Sequence, residues 1–179
     1  MDSYIAGMLY GDGTKFLGKN RAYAVTVDQH IKNKDISDFL KKKLKESEFN
    51  VHDYDFKFGK THMRRIMVYS KKLFIEFENM RKNSVRFFVN LSSKDKRNFI
   101  GGFFDAEGTI TDRLVVYNMD LKLLKAIQKF LKQKKILSYI YRFGKVYGVQ
   151  IYKKEDVKKF RKLINCVKLN RSVSSSYQT

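Results

Sequence analysis

Ile5-Ala6-Gly7-Met8-Leu9-Tyr10-Gly11-Asp12-Gly13 stands near the start of the chain, and Ile100-Gly101-Gly102-Phe103-Phe104-Asp105-Ala106-Glu107-Gly108 stands in its second half. Small, apolar and acidic positions correspond one for one between the two segments, which lie 95 residues apart (100 − 5). Two further echoes keep the same order. Tyr54-Asp55-Phe56-Lys57-Phe58-Gly59-Lys60 matches Tyr139-Ile140-Tyr141-Arg142-Phe143-Gly144-Lys145, and Val68-Tyr69-Ser70-Lys71 matches Ile151-Tyr152-Lys153-Lys154. Three echoes in register indicate a duplicated fold whose spacing drifts with loop length.

Working outward from these anchors, each half reads as α-β-β-α-β-β-α. An apolar helix ends at the acidic residue and glycine, over ~4–12 and ~93–107, with Ser92 or Ser93 as the N-cap of the second. Hairpins are predicted over ~14–29 and ~109–118, followed by lysine-rich amphipathic helices at ~34–46 and ~120–135. Strands at ~51–58 and ~63–69, and at ~137–143 and ~146–152, pair across the Phe-Gly-Lys turns, and helices at ~71–82 and ~154–165 close the halves. The halves divide as residues 1–91 and 92–171, and the Ser-rich segment 172–179 reads as a frayed tail.

Gly7 and Gly11 share a face of the first helix, and Gly102 and Ala106 share the same face of the second. Small residues four apart let two helix backbones approach closely, a steric rule. Packed on each other, these helices would bring Asp12 and Glu107 together at their C-terminal ends, where the helix dipoles are already negative. Two repelling carboxylates placed there make sense around a divalent cation, and hard oxygen donors with few protein ligands suit Mg²⁺. Either acid-glycine pair alone would read as a turn signal; the matched pair reads as a metal site.

Composition narrows the partner. The chain has 179 residues, with 38 Lys+Arg against 18 Asp+Glu, a net charge of +20. Residues 1–91 carry 18 basic and 11 acidic side chains (+7), and the remainder 20 and 7 (+13), so no single tail holds the excess. A polyanion that neutralises this self-repulsion is expected, and nucleic acid fits better than a membrane surface because the charge lies on strand-like as well as helical segments. No apolar run reaches the ~20 residues of a membrane span. The single cysteine, Cys166, excludes an internal disulfide, and three scattered histidines leave no His-based metal site. An intracellular protein is expected.

The two segments resemble the signature of the LAGLIDADG homing endonucleases, in the single-chain, two-motif form of archaeal intron-encoded members, and the resemblance runs over nearly the whole chain. It implies an α+β fold of two pseudo-symmetric halves, with antiparallel sheets forming a saddle over double-stranded DNA. It also implies metal-dependent cleavage of both strands across the minor groove, leaving short 3′ overhangs. Asp12 and Glu107 take the place of the family's metal-ligating acids, with the carbonyls of Gly11 and Ala106 as further ligands, for Mg²⁺ or for Mn²⁺ or Ca²⁺ in its place. Gln29 and Asn118, at matching strand ends, resemble the amides that order active-site water; strand-end amides bonded to backbone are the alternative. Lys71 and Lys154 resemble the basic residues near the scissile phosphates, against the alternative of ordinary surface lysines. Tyr10 departs from the signature, which like the second copy (Asp105) has an acid there. The long target is expected to be partly asymmetric because the halves differ, and the chain to act as a monomer.

Period-two alternation assigns the strand faces. Tyr54, Phe56, Phe58, Ile66 and Val68 are expected to pack on the helices, as are Tyr139, Tyr141, Phe143, Val149 and Ile151. The DNA-facing set is then Thr26, Asp28, Lys57, Arg65, Met67 and Tyr69 in the first half. In the second it is Arg113, Tyr117, Arg142, Gln150 and Tyr152. Arg and Gln can read base edges, whereas lysines more often meet phosphates. An RNA maturase and a silent DNA-binding regulator of the same fold are the competing readings.

Overall fold

The computed structural model describes residues 1–18 and 22–174. The first half comprises α1 (Ser3–Asp12), β1 (Gly13–Leu17), β2 (Tyr23–His30), a 3₁₀ turn (Ile31–Asn33), α2 (Lys34–Glu46), β3 (Val51–Phe58), β4 (Thr61–Tyr69), α3 (Lys71–Lys82) and α4 (Ser84–Asn90). The second comprises α5 (Ser93–Glu107), β5 (Gly108–Ile110), β6 (Leu114–Asn118), α6 (Leu121–Gln133), β7 (Tyr139–Phe143), β8 (Val146–Ile151), α7 (Lys154–Leu163) and α8 (Val167–Ser174). Two antiparallel four-stranded sheets, ordered β1-β2-β4-β3 and β5-β6-β8-β7, repeat one topology. No described helix is long and apolar enough to cross a membrane.

Local chemistry explains the paired helices. Asp2 caps α1 by accepting from the Tyr4 and Ile5 amides at 2.8 and 3.1 Å, and Ser92 caps α5 by accepting from the Asp95 amide at 3.1 Å. Every residue from Ser3 to Tyr10 is buried, so α1 needs no polar face; it lies at the centre of the molecule. A Cβ on Gly7 would stand 2.0 Å from the Phe99 carbonyl oxygen, and a Cβ on Gly102 would stand 2.0 Å from that of Tyr4. The two clashes are symmetry mates, because Phe99 follows Tyr4 by the same 95 residues that separate the two glycines. The helices therefore touch backbone to backbone. Around them, Ile36, Leu40 and Leu44 of α2 and Leu123, Leu124, Ile127 and Leu131 of α6 turn apolar stripes into a continuous core, which also holds Cys166.

Two features depart from the expectation. Helices α4 and α8 extend each half beyond the seven expected elements, and each packs on the opposite half, α4 on α6 and α8 on α2. Helix α8 runs to Ser174, and residues 175–179 of the expected tail lie outside the described residues. The strand faces of β3 and β7 are also inverted. Tyr54 pairs with Arg65 and Phe56 with Met63, while Tyr139 pairs with Gln150 and Tyr141 with Gly148. Directly opposed residues share a face, so Tyr54, Phe56, Phe58, Tyr139, Tyr141 and Phe143 lie on the open faces turned away from the helices. Lys57 and Arg142 consequently stand on the helix side, not on the DNA-facing side where they were expected. The cause is position: β3 and β7 are edge strands, and their aromatic residues are only partly covered, with Phe58 76% exposed.

Replacing Gly102 by Ala is expected to cost about 3 kcal/mol or more in urea unfolding, because the clash is with backbone and not with a movable side chain. Gly144→Ala meets no atom within 4 Å, and its φ of +59° should cost only about 1 kcal/mol. Equal losses would show that the helices are not held in backbone contact.

Candidate active site

Asp12 and Glu107 are the last residues of α1 and α5, so the glycine contact that fixes the helix crossing also fixes the distance between the two carboxylates. A Cβ on Gly11 would lie 2.5 Å from the Ala106 Cβ and 2.9 Å from the Glu107 Cγ, which places the Gly11 backbone directly against the Glu107 side chain. Both acids are partly buried. Burial raises the Asp12 carboxyl above the ordinary range, against a hydrogen bond from Gln29 and the charge of Lys168. Burial and then the Asp12 charge raise Glu107, opposed by Lys168 and Arg81. Each acid is thus held in a place that disfavours its ionised form.

The neighbours divide into those expected and those not. Gln29 is buried at the end of β2, donates through Nε2 to Asp12 Oδ2, and accepts from Asn33 Nδ2 at 3.3 Å. Asn118 lines a cleft of about 320 Å³ together with Gly11, Glu107 and Arg81, but its Oδ1 accepts from the Asp120 amide at 2.9 Å, which is the backbone-bonding alternative. Lys71 and Lys154 open α3 and α7 as exposed side chains, and Lys71 Nζ lies 5.6 Å over the Tyr23 ring. The cations acting on the acids are Arg81 and Lys168. Arg81 Nη1 donates to the Tyr10 carbonyl at 3.2 Å, and Lys168 Nζ donates to the carbonyls of Ala106 and Gly108 at 3.1 and 2.8 Å. No sequence signal marks either residue among 38 basic side chains; only the fold brings them to the helix ends.

The signature's variable position has two solutions. Asp105 is fully buried and accepts from the Tyr4 hydroxyl at 2.7 Å and from the Val167 and Lys168 amides at 2.8 Å each, fastening α8 to α5. Tyr10 donates instead to Asp120 Oδ2 at 2.6 Å, and burial followed by this bond pushes its hydroxyl up to about 12. Ser84 at the start of α4 donates to the same Asp120 oxygen at 2.5 Å.

On the open sheet faces, Arg65 and Asp28 form a two-bond pair at 2.7 and 2.6 Å, with the guanidinium 4.9 Å from the Phe56 ring centroid. Gln150, with its oxygen turned to Arg113, accepts from Nε at 3.2 Å and Nη1 at 2.8 Å. Thr26, Met67 and Gln150 are buried beneath their neighbours, whereas Tyr69 and Tyr152 are exposed. Tyr152 stacks on Tyr139 at 5.2 Å, and Tyr117 meets Phe143 edge-on at 5.3 Å. Together these residues make aromatic platforms edged with guanidinium groups.

No group of three or more His, Cys, Asp or Glu side chains gathers among the described residues. A cation here would rest on two carboxylates, backbone carbonyls and water. That donor set is all hard oxygen and fits Mg²⁺, Mn²⁺ or Ca²⁺, although the Ala106 carbonyl already accepts from Lys168 Nζ.

Comparison with known proteins agrees with this fold. Residues 81–165 match the family model of a LAGLIDADG-like domain. Mesophilic variants of the homing endonuclease I-DmoI are 25% identical, with a TM-score of 0.71 over 91% of this chain and 94% of theirs. I-DmoI in complex with DNA and Ca is 25% identical, with a TM-score of 0.72 over 94% and 90%. Full-length DUF199/WhiA from Thermatoga maritima shares the fold at 17% identity, with a TM-score of 0.69 over 99% of this chain and 61% of its own. None of the curated proteins matches. The resemblance read from the two nine-residue segments is borne out, both in fold and in the single-chain, two-motif form.

The raised acids set a pH dependence. A carboxyl whose folded pKa exceeds its unfolded value weakens the fold above that folded pKa, and the penalty disappears below the unfolded value. In metal-free buffer Glu107→Gln should therefore raise Tm at neutral pH by a few degrees, and the gain should vanish below about pH 4. A neutral-pH Tm equal to or below that of the unsubstituted protein would contradict this electrostatic reading.

Proposed function

We propose that this two-motif LAGLIDADG chain is a site-specific homing endonuclease. In this reading it hydrolyses one phosphodiester in each strand of duplex DNA across the minor groove, leaving short 3′ overhangs. The observation that carries the reading is the pair Asp12 and Glu107, held against their own repulsion at the touching ends of two helices in a protein of net charge +20. Asp12, Glu107 and the carbonyls of Gly11 and Ala106 would hold the divalent ion, Mg²⁺ or Mn²⁺ or Ca²⁺ in its place. When bound, the ion supplies Lewis acidity and water of lowered pKa. Structures of I-DmoI with its target DNA in the presence of Mn and of Mg support that choice of ion.

The chain's own residues do the rest. Gln29 holds the Asp12 carboxylate in one orientation through its amide. Arg81, exposed at the cleft beside Glu107, is placed to meet a phosphate oxygen. Arg65, Arg113 and the tyrosines of the open faces would position the duplex and read base edges. The two faces differ in sequence, so the long target would be partly asymmetric, and one chain supplies both halves of the site as a monomer working inside the cell.

The test is incubation with a randomised duplex library and Mg²⁺, followed by sequencing of the cleaved ends. Staggered cuts at one recurrent sequence are expected, with activity falling about 100-fold or more in Asp12→Asn and in Glu107→Gln. Tight, salt-sensitive duplex binding with no cut would favour a silent DNA-binding regulator, and preference for structured RNA a maturase.

A further inference from the structure

The two halves of the site are not equivalent. Gly11 lies against Glu107, and by the internal two-fold Ala106 belongs with Asp12. Lys168 donates to the Ala106 and Gly108 carbonyls, and its charge acts on Asp12 and Glu107. Asp105 anchors the backbone of Lys168, so the ammonium is held there by the start of α8. The corresponding residue of the first half is Val85, 83 positions earlier like the Lys71 and Lys154 pair (168 − 83 = 85). Among the described residues no side chain caps the Gly11 carbonyl; Arg81 bonds to that of Tyr10.

We propose that Lys168 is a built-in cation occupying the Asp12–Ala106 side of the metal site, so that a divalent ion enters the Glu107–Gly11 side and competes with the ammonium on the other. The inference rests on the reading of Asp12 and Glu107 as metal ligands. An ammonium on a carbonyl that also borders a carboxylate holds the position a divalent ion would take. Lysine is suited to this role because it is a compact point charge on a flexible stem and can withdraw. Lys168 is thus a positioning residue that makes the two halves load unequally.

The test is titration of the full chain with Mn²⁺ alone, following free Mn²⁺ by electron paramagnetic resonance. Lys168→Met should take up one further ion per chain, or bind Mn²⁺ about tenfold more tightly. In the unsubstituted chain Glu107→Gln should remove most of the binding, whereas Asp12→Asn combined with Lys168→Met should remove only the gain. Lys168→Gln, which keeps a neutral hydrogen-bonding side chain, should behave like Lys168→Met, and thermal unfolding checks that both variants fold. If both bind Mn²⁺ as the unsubstituted chain does while Glu107→Gln still loses it, Lys168 only caps α5 and the proposal fails alone. If binding depends on neither Asp12 nor Glu107, the metal-site reading fails and takes this proposal with it.

Discussion

The backbone contact between α1 and α5 is the constraint on which the rest of the structure depends. With Tyr4 and Phe99 carbonyl oxygens 2.0 Å from where glycine Cβ atoms would be, no larger residue fits at Gly7 or Gly102 without parting the helices. Parting them would move the helix ends, and with them the two acids and both sheets, which begin immediately after at Gly13 and Gly108. A single steric rule therefore sets the spacing of the carboxylates and the relation of the two sheets. Packing at this density has no slack to absorb an added methyl group.

Electrostatics runs against that packing. Two partly buried carboxylates share a region where two helices direct their negative ends, and burial raises both. The fold answers with cations drawn from elements distant in sequence: Arg81 from the end of α3 and Lys168 from α8. Asp105 and Asp120 secure the supporting helices, one through the amides of α8 and the other through Tyr10 and the hydroxyl of Ser84. The site is thus strained in charge and rigid in geometry, the combination expected where binding a small hard cation is to be favourable.

The helix pair was legible in the sequence because close approach leaves an unambiguous trace: small residues four apart, twice, followed by acids. The strand-helix pattern was legible for a similar reason, since apolar periodicity and the Phe-Gly-Lys turns are local. The faces of β3 and β7 were not. Tyr54, Phe56 and Phe58 alternate as core strands do, and only register with β4 and the shortage of helix cover at the sheet edge place them on the open side. Helices α4 and α8 leave no such trace, because the eight residues or fewer in each show no period long enough to count. Lys168 was hidden twice, by its anonymity among lysines and by its place on one of those helices.

The departure from symmetry is informative because symmetry was available. Duplication supplies the same residue twice, yet at one signature position the chain carries Tyr10 and Asp105, and these recruit different partners. Asp105 has two acceptor oxygens and takes the amides that start α8, which fixes Lys168 beside Ala106. Tyr10 has a hydroxyl and takes Asp120, leaving the start of α4 to bond through Ser84, and the sequence counterpart of Lys168 there is Val85. The two helix ends therefore meet different cations: Lys168 on the Ala106 carbonyl and Arg81 on that of Tyr10. Identical halves would surround both carboxylates alike; here Asp105 and Tyr10 give the two helix ends different partners.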